Sequence, residues 1–483
     1  MSNKRKKFIV LSLYLVSFFS VNIFNDTYAQ APKGTLQNLN ISAPSLANNI
    51  LGTSVTQPIA VYLPPSYNTS NKKFPVVYFL PGFGDQVSDW TSGTYQGFRV
   101  NTSMDQLISN KSVNEMIVVI VNGYNFLGGS FYVNSSVTGN WEEFVVNDIV
   151  GYIDGNYRTL QSRNSRAICG HSMGGFGALN LAMRHPDIFG AVYVLSPGLF
   201  AENGLQRCQL FKSESFIKQF ITKETELNAL SAENAFASFK SYIQNRYALG
   251  DWDTPFAYAY AAAFSPNPNK KAPFIDYPYS LSGTSVVVNS TLLKNFENGF
   301  GGLNEKVKTL KENLLSLKQI TVDVGNYDEY QWIIEGSIYF SQLLTGEGIP
   351  HKLVTFSGGH QNKVRERIEQ HLLPTLSKVL VYDSTATSVG SEGCRMPTNF
   401  KLQNYPNPFN PITKIQFDIP IAGFVSLKVY DLLGQEVAAL LNEERVAGRY
   451  ELNFDASKLY SGTYFIHLDV EEFKKTIKVL LMK

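Results

Sequence analysis

Seven short apolar runs, each closing on glycine or proline, set the strongest limit on how this chain can fold. They are PIAVYLP (58–64), FPVVYFLPG (74–82), EMIVVIVNG (115–123), RAICG (166–170), AVYVLSP (191–197), ITVDVG (320–325) and KLVTFSGG (352–359). Most lack polar alternation, which is the pattern of strands covered on both faces. Helical periods fall between them: EEFVVNDIVGYIDGNYRT (142–159), MGGFGALNLAMRH (173–185), EGSIYFSQLLTG (335–346) and VRERIEQHLLPTLSKVL (364–380). Strand and helix in alternation predict an α/β fold, a mostly parallel sheet with helices on both faces. Residues 201–318 break the alternation, with helical and aromatic-rich stretches such as PFAYAYAAAF (255–264). They read as an insertion over the C-terminal edge of the sheet, where such folds bind ligands. Peripheral helices remote from any chemistry are the alternative.

The two ends of the chain read differently. A basic run, Lys4-Arg5-Lys6-Lys7, precedes a largely apolar stretch from Phe8 to Phe24 and the small-residue site Thr27-Tyr28-Ala29. This is the pattern of a secretory signal peptide over residues 1–29, with an N-terminal membrane anchor as the lesser alternative. Its removal takes away four basic residues and Asp26, leaving 38 basic and 39 acidic residues. A net charge of −1 gives no electrostatic case for nucleic acid. No later stretch is apolar enough to span a bilayer. Residues 382–398, rich in Ser, Thr and Gly, read as a linker after a domain at 30–381. From 399 to 483 the strands alternate polar and apolar positions with frequent turns, which predicts a small antiparallel β-sandwich. Three cysteines, Cys169, Cys208 and Cys394, are too few for a disulfide scaffold. No spacing suggests a zinc site, and no metal or cofactor is expected.

The motif that carries chemistry is Gly170-His171-Ser172-Met173-Gly174. A serine on a sharp turn between strand and helix needs small neighbours two residues before and after, hence Gly170 and Gly174. Here an apolar strand-like run precedes it and a helical period follows. Ser172 is therefore the expected nucleophile. Of six histidines, His360 alone follows a strand end on a glycine-flanked loop, SGGHQ, and is the expected general base. His171, His185, His351, His371 and His467 read as structural. In strand–turn–helix nucleophile sites the acid lies between serine and histidine in the chain. Asp328, in the loop after ITVDVG, is the first choice, Glu329 the second and Asp323 the third. Two backbone N–H groups should hold an oxyanion: that of Met173, after the nucleophile, and that of Phe83, between Gly82 and Gly84.

With these residues in hand, the chain from about 35 to 380 resembles the esterase family of α/β-hydrolases. That family includes feruloyl and acetyl-xylan esterases, S-formylglutathione hydrolases and mycolyltransferases. The matching stretches are VYLPPSY (61–67), FPVVYFLPGFGD (74–85), GGSFYVNS (128–135), RAICGHSMGGFGAL (166–179), HPDIFGAV (185–192), VGNYDEY (324–330) and FSGGHQ (356–361). The resemblance implies Ser172, Asp328 and His360 as a triad, with Phe83 and Met173 as oxyanion donors. Two features depart from the family: Pro81 stands where many members have histidine, and the acidic loop reads Gly325-Asn326-Tyr327-Asp328-Glu329 instead of a G-T-E-D-F pattern. The last 80 or so residues resemble the C-terminal sorting domain of type IX secretion cargo, through NYPNPFNPITKIQFDIP (404–420), VYDLLGQEV (429–437), AGRYELNFDASKLYSGTYF (447–465) and KTIKVLLMK (475–483). That implies a Gram-negative bacterium of the Bacteroidetes–Chlorobi type, export to the cell surface or medium, and the type IX machinery as partner.

The expectation is a secreted serine carboxylester hydrolase working through an acyl-enzyme on feruloyl or acetyl esters of extracellular polysaccharide. An acyltransferase with the same triad and a sugar or lipid alcohol acceptor is one alternative. A non-catalytic carbohydrate-binding surface protein is another.

Overall fold

The computed structural model describes residues 32–383, 400–420, 423–445, 448–470 and 473–483. The expected signal peptide, most of the expected linker and Cys394 lie outside the described residues. The chain divides into two compact units, Met1–Ala386 and Thr387–Lys483.

The first unit is built on eight strands: β1 (Thr35–Ser42), β2 (Thr56–Leu63), β3 (Val76–Leu80), β4 (Ile117–Val121), β5 (Arg166–His171), β6 (Ala191–Leu195), β7 (Gln319–Gly325) and β8 (Lys352–Phe356). Their order across the sheet is β1-β2-β4-β3-β5-β6-β7-β8. β2 runs antiparallel to β1 and β4, and every other pair is parallel. This is the α/β-hydrolase arrangement. All residues of β3, β4, β5 and β6 are buried. Alternate side chains nevertheless go to separate cores, as the pleat requires. Val76, Tyr78, Leu80, Ile168 and Val194 join one apolar cluster, in which Phe176 and Leu179 of the helix Met173–Arg184 and Phe340 of the helix Gln331–Gly346 pack. Val77, Phe79, Cys169 and Tyr193 join the other, which Met104 of the helix Val100–Ser109 and Leu372 and Leu376 of the segment Val364–Val379 cover.

β1 falls outside the seven apolar runs. Its sequence, TLQNLNIS, carries polar residues on one side because it is the edge strand of the sheet. Residues 201–318 contribute no strand to the eight-stranded sheet; among them are the helices Glu214–Asn228, Ala232–Ala248, Asp253–Phe264 and Ser290–Phe300 and a small hairpin, Tyr279–Ser282 with Ser285–Val288. Aromatic rings fasten this region to the loops of the sheet. Phe131 has Phe256, Phe264 and Phe300 each at 5.5 Å between ring centroids, and Phe300 lies 4.8 Å from Phe176.

The second unit is all antiparallel. Lys401–Tyr405, Ile412–Ile419 and Gly448–Asp455 form a three-stranded sheet, and Glu436–Arg445, Gly423–Tyr430, Gly462–Val470 and Phe473–Leu481 a four-stranded one. The two sheets share one core, with Ile415 and Phe417 from the first and Leu427, Ile466 and Leu468 from the second. Glu436–Arg445, EVAALLNEER, has the composition of a helix. Cross-strand pairing with Gly423–Tyr430 overrides that preference.

Candidate active site

β5 ends in a turn that sequence composition dictates. Ser172 has φ +57° and ψ −116°, and the helix Met173–Arg184 starts at the next residue. Such a backbone costs on the order of 1–3 kcal/mol for a non-glycine residue and persists only where its surroundings enforce it. The enforcement here is steric. A Cβ on Gly174 would sit 1.9 Å from Leu80 O, and one on Gly170 would sit 2.3 Å from Gly174 O and 2.6 Å from Leu80 O. Ser172 N–H donates to Leu195 O at 2.9 Å, which pins the turn to β6.

Three side chains from three strand ends meet at this turn. Ser172 Oγ lies 2.9 Å from His360 Nε2, and His360 Nδ1 lies 2.8 Å from Asp328 Oδ2. Asp328 is fully buried and His360 is 7 % exposed, so their interaction is little screened by water. Asp328 Oδ1 also accepts the Tyr330 N–H at 2.9 Å. The acid loop and the base loop are laced together: Asn326 N–H donates to Phe356 O at 2.8 Å and Tyr327 N–H to Gly358 O at 2.9 Å.

The other two carboxylates considered as acids have different partners. Glu329 Oε2 accepts the backbone N–H of His360 at 2.8 Å, and this bond holds its carboxyl below the usual range. Asp323 is fully buried and takes up Tyr193 Oη at 2.6 Å and Arg367 Nη2 at 2.7 Å, away from the imidazole. Two further histidines of the first unit are bound elsewhere. His185 Nε2 lies 2.7 Å from Glu142, and His351 Nε2 lies 2.7 Å from Ser341 Oγ.

The loop after β3 presents its backbone to the same place. Gly82 N–H donates to Asp85 Oδ2 at 2.8 Å, Gly84 N–H to Gly128 O at 2.8 Å and Asp85 N–H to Gly82 O at 3.3 Å. The Phe83 N–H between them has no acceptor among the described residues. Met173 N–H, at the first helical position, has no intrahelical acceptor either. Both donors are therefore available to a developing negative oxygen, and the helix N-terminus adds its partial positive charge.

Two residues support these loops: Asp85, which sequence reasoning did not single out, and His171, which it read as structural. Asp85 fixes the loop that bears Phe83, accepting from Gly82 N–H and from Tyr95 Oη. Burial pushes its carboxyl up to about 6 against the pull of these donors. His171 points away from Ser172 and places Nε2 2.8 Å from the carbonyl oxygen of His360, so it donates to that carbonyl and braces the base loop. The aspartate three residues after Gly82 was a readable turn signal. Nothing in the sequence marks the carbonyl that His171 reaches.

Burial pushes the His171 imidazole down to about 3, with the nearby His360 adding to the effect. The native state thus keeps it neutral while an unfolded chain protonates it below its ordinary value of 6.5. Stability from this group is complete above about 6.5 and is lost as pH falls toward 3. Asp85, raised, acts with the opposite sign between 3.8 and about 6. We expect His171→Gln to flatten the decline of the thermal midpoint from about pH 7 to about pH 4 relative to the wild type. Parallel curves for the two proteins would show that His171 does not carry this dependence.

Among the described residues no three His, Cys, Asp or Glu side chains converge as a metal site. No helix among them is long and apolar enough to cross a membrane.

Comparison with known proteins bears on both units. Residues 51–250 match the family described as "Putative esterase". The matched segment carries Phe83, Gly170, Ser172, Met173 and Gly174, while Asp328 and His360 lie beyond it. Residues 403–482 match the family described as "Secretion system C-terminal sorting domain". An esterase of Mycobacterium tuberculosis is 32% identical over 129 residues, 26% of each chain. An endo-1,4-beta-xylanase/feruloyl esterase of Xylanibacter ruminicola is 29% identical over 154 residues, 31% of this chain and 20% of its own. The chain thus spans about a quarter or less of the curated relatives it matches. Among solved structures, a ferulic acid esterase is 21% identical with a TM-score of 0.45, covering 72% of this chain and 99% of that one. An S-formylglutathione hydrolase from Agrobacterium tumefaciens is 16% identical with a TM-score of 0.44, covering 73% and 97%.

Proposed function

We propose that the protein is a secreted serine carboxylester hydrolase. The observation that carries this reading is the continuous chain Ser172 Oγ–His360 Nε2 and His360 Nδ1–Asp328 Oδ2, at 2.9 and 2.8 Å. His360 Nε2 takes the Ser172 proton while Oγ attacks the ester carbonyl carbon. The carbonyl oxygen becomes an oxyanion held by the Phe83 and Met173 N–H groups. Collapse breaks the ester C–O bond; the alcohol leaves with the proton from His360, and the acyl group stays on Oγ. Water then enters, gives its proton to His360 and attacks the acyl carbon. The acid departs, and the proton returns to Oγ. Asp328 holds the Nδ1–H of the imidazole and stabilises its charged form.

The substrate class follows from the setting. The tail matched at 403–482 supports export to the cell surface or medium through the secretion machinery that reads it. A feruloyl esterase among the relatives supports acyl esters of extracellular polysaccharide. The test is a panel of p-nitrophenyl acetate, methyl ferulate and acetylated xylan, run with and without an added sugar alcohol. We expect p-nitrophenyl acetate and at least one of the other two to be cleaved, with free acid as the main product. Acylated acceptor as the main product would reassign the protein as a transferase. Glycan binding with no cleavage of any ester would reassign it as a binding protein.

A further inference from the structure

A cavity of about 740 Å³ opens at the sheet edge that carries Ser172, on the flank away from β8. β1, the start of β2 and the loops after β3 and β4 wall it. Gly84 N–H, next to Phe83, donates to Gly128 O and joins those two loops, and Gly128 N–H donates to Asn125 O within the second, each at 2.8 Å. Only β3 stands between β4 and β5 in the sheet. Two strand spacings, about 10 Å, therefore separate the near wall from the line of the nucleophile.

The chemistry of the lining is selective. No side chain on it carries a charge, and six are amides. Three of these are committed to a fixed, buried floor. Asn122 Nδ2 donates to Gln57 Oε1 at 2.6 Å, and Asn125 Nδ2 donates to Gly129 O at 3.1 Å. The other three, Asn38, Asn40 and Gln86, are exposed and have no side-chain hydrogen bond among the described residues. Asn38 and Asn40 are two apart on β1 and so share a face. Each free amide offers both donors and an acceptor, which suits adjacent sugar hydroxyls. The half-exposed ring of Tyr124 supplies an apolar surface beside them. Lys240 Nζ lies near Gly52, 3.9 Å from where a Cβ there would stand, but no charged side chain lines the cavity to balance a phosphate or a uronate. The volume is that of a site for a ligand of several rings.

We propose that this cavity binds a neutral oligosaccharide and holds the polymer whose ester reaches Ser172. The ester's path to Ser172 rests on the esterase reading; the glycan binding does not. Asn38 and Asn40 lie before the segment matched at 51–250, and most of the other lining residues lie within it.

The test is calorimetric titration of the full chain carrying Ser172→Ala with xylohexaose, cellohexaose, mannohexaose and an anionic oligogalacturonate. The Asn38→Ala/Asn40→Ala double change is then added to it. At least one neutral oligosaccharide should bind, and the double change should weaken that binding by about tenfold or more. In the otherwise wild-type chain, the same double change should leave p-nitrophenyl acetate cleavage and the thermal midpoint unchanged. Failure of every neutral oligosaccharide to bind at millimolar concentration overturns the proposal. Equal binding by the double variant, or binding of oligogalacturonate as tight as that of any neutral chain, does so too. Neutral glycan binding in a wild-type chain that cleaves no ester would leave the subsite standing and remove the esterase reading.

Discussion

Replacing Ser172 by alanine should reduce ester cleavage by on the order of 10⁴–10⁶-fold. The hydroxyl is the atom that forms the covalent bond, and no other described hydroxyl sits against His360 Nε2. The oxyanion donors and the binding surfaces survive the change, so substrate affinity should hold while kcat collapses. Stability should move little. Ser172 is half-buried, and among the described residues its side chain hydrogen-bonds to the imidazole alone. A variant that loses fold as well as activity would point to a turn residue; one that keeps its activity would point to a different nucleophile.

The second large effect separates two neighbouring carboxylates. Asp328→Asn should lower kcat by about 10⁴-fold, because an amide in place of the carboxylate no longer fixes the imidazole tautomer or stabilises its charged form. Glu329→Gln should cost no more than about tenfold, since the new amide oxygen still accepts the His360 N–H and only a charge-assisted bond is weakened. The geometry makes this an asymmetric pair, with Oδ2 of Asp328 on the ring and Oε2 of Glu329 on the backbone. Steady-state kinetics of the two variants decides it. A larger loss in Glu329→Gln would reverse the assignment.

How much was legible in the residues depended on how local the cause was. β3 to β6 were readable because strands covered on both sides must be apolar throughout. β1 was not, because an edge strand with one wet side has the composition of a loop. Glu436–Arg445 was hidden by its helix-forming residues, since its partner strand decides its state. Gly170 and Gly174 were legible because their neighbours' backbones leave no room for a Cβ. His360 stood out through its place on a glycine-flanked strand end. The choice between Asp328 and Glu329 stayed open in the sequence, because adjacent residues differ only in the path of the backbone. Here the bonds of Asn326 and Tyr327 to the base loop set that path. The brace from His171 depends on a contact 189 residues away in the chain and leaves no local mark.

In the proposed reaction a proton leaves Ser172 for His360 as Oγ becomes bonded to substrate. Treating the full chain with a fluorophosphonate ester and mapping the adduct by peptide mass spectrometry tests it most directly. We expect one phosphonyl group, displacing fluoride, on the peptide that contains Ser172, and much slower labelling in His360→Ala. A label on any other residue, or ester cleavage that continues with Ser172 fully blocked, would contradict it.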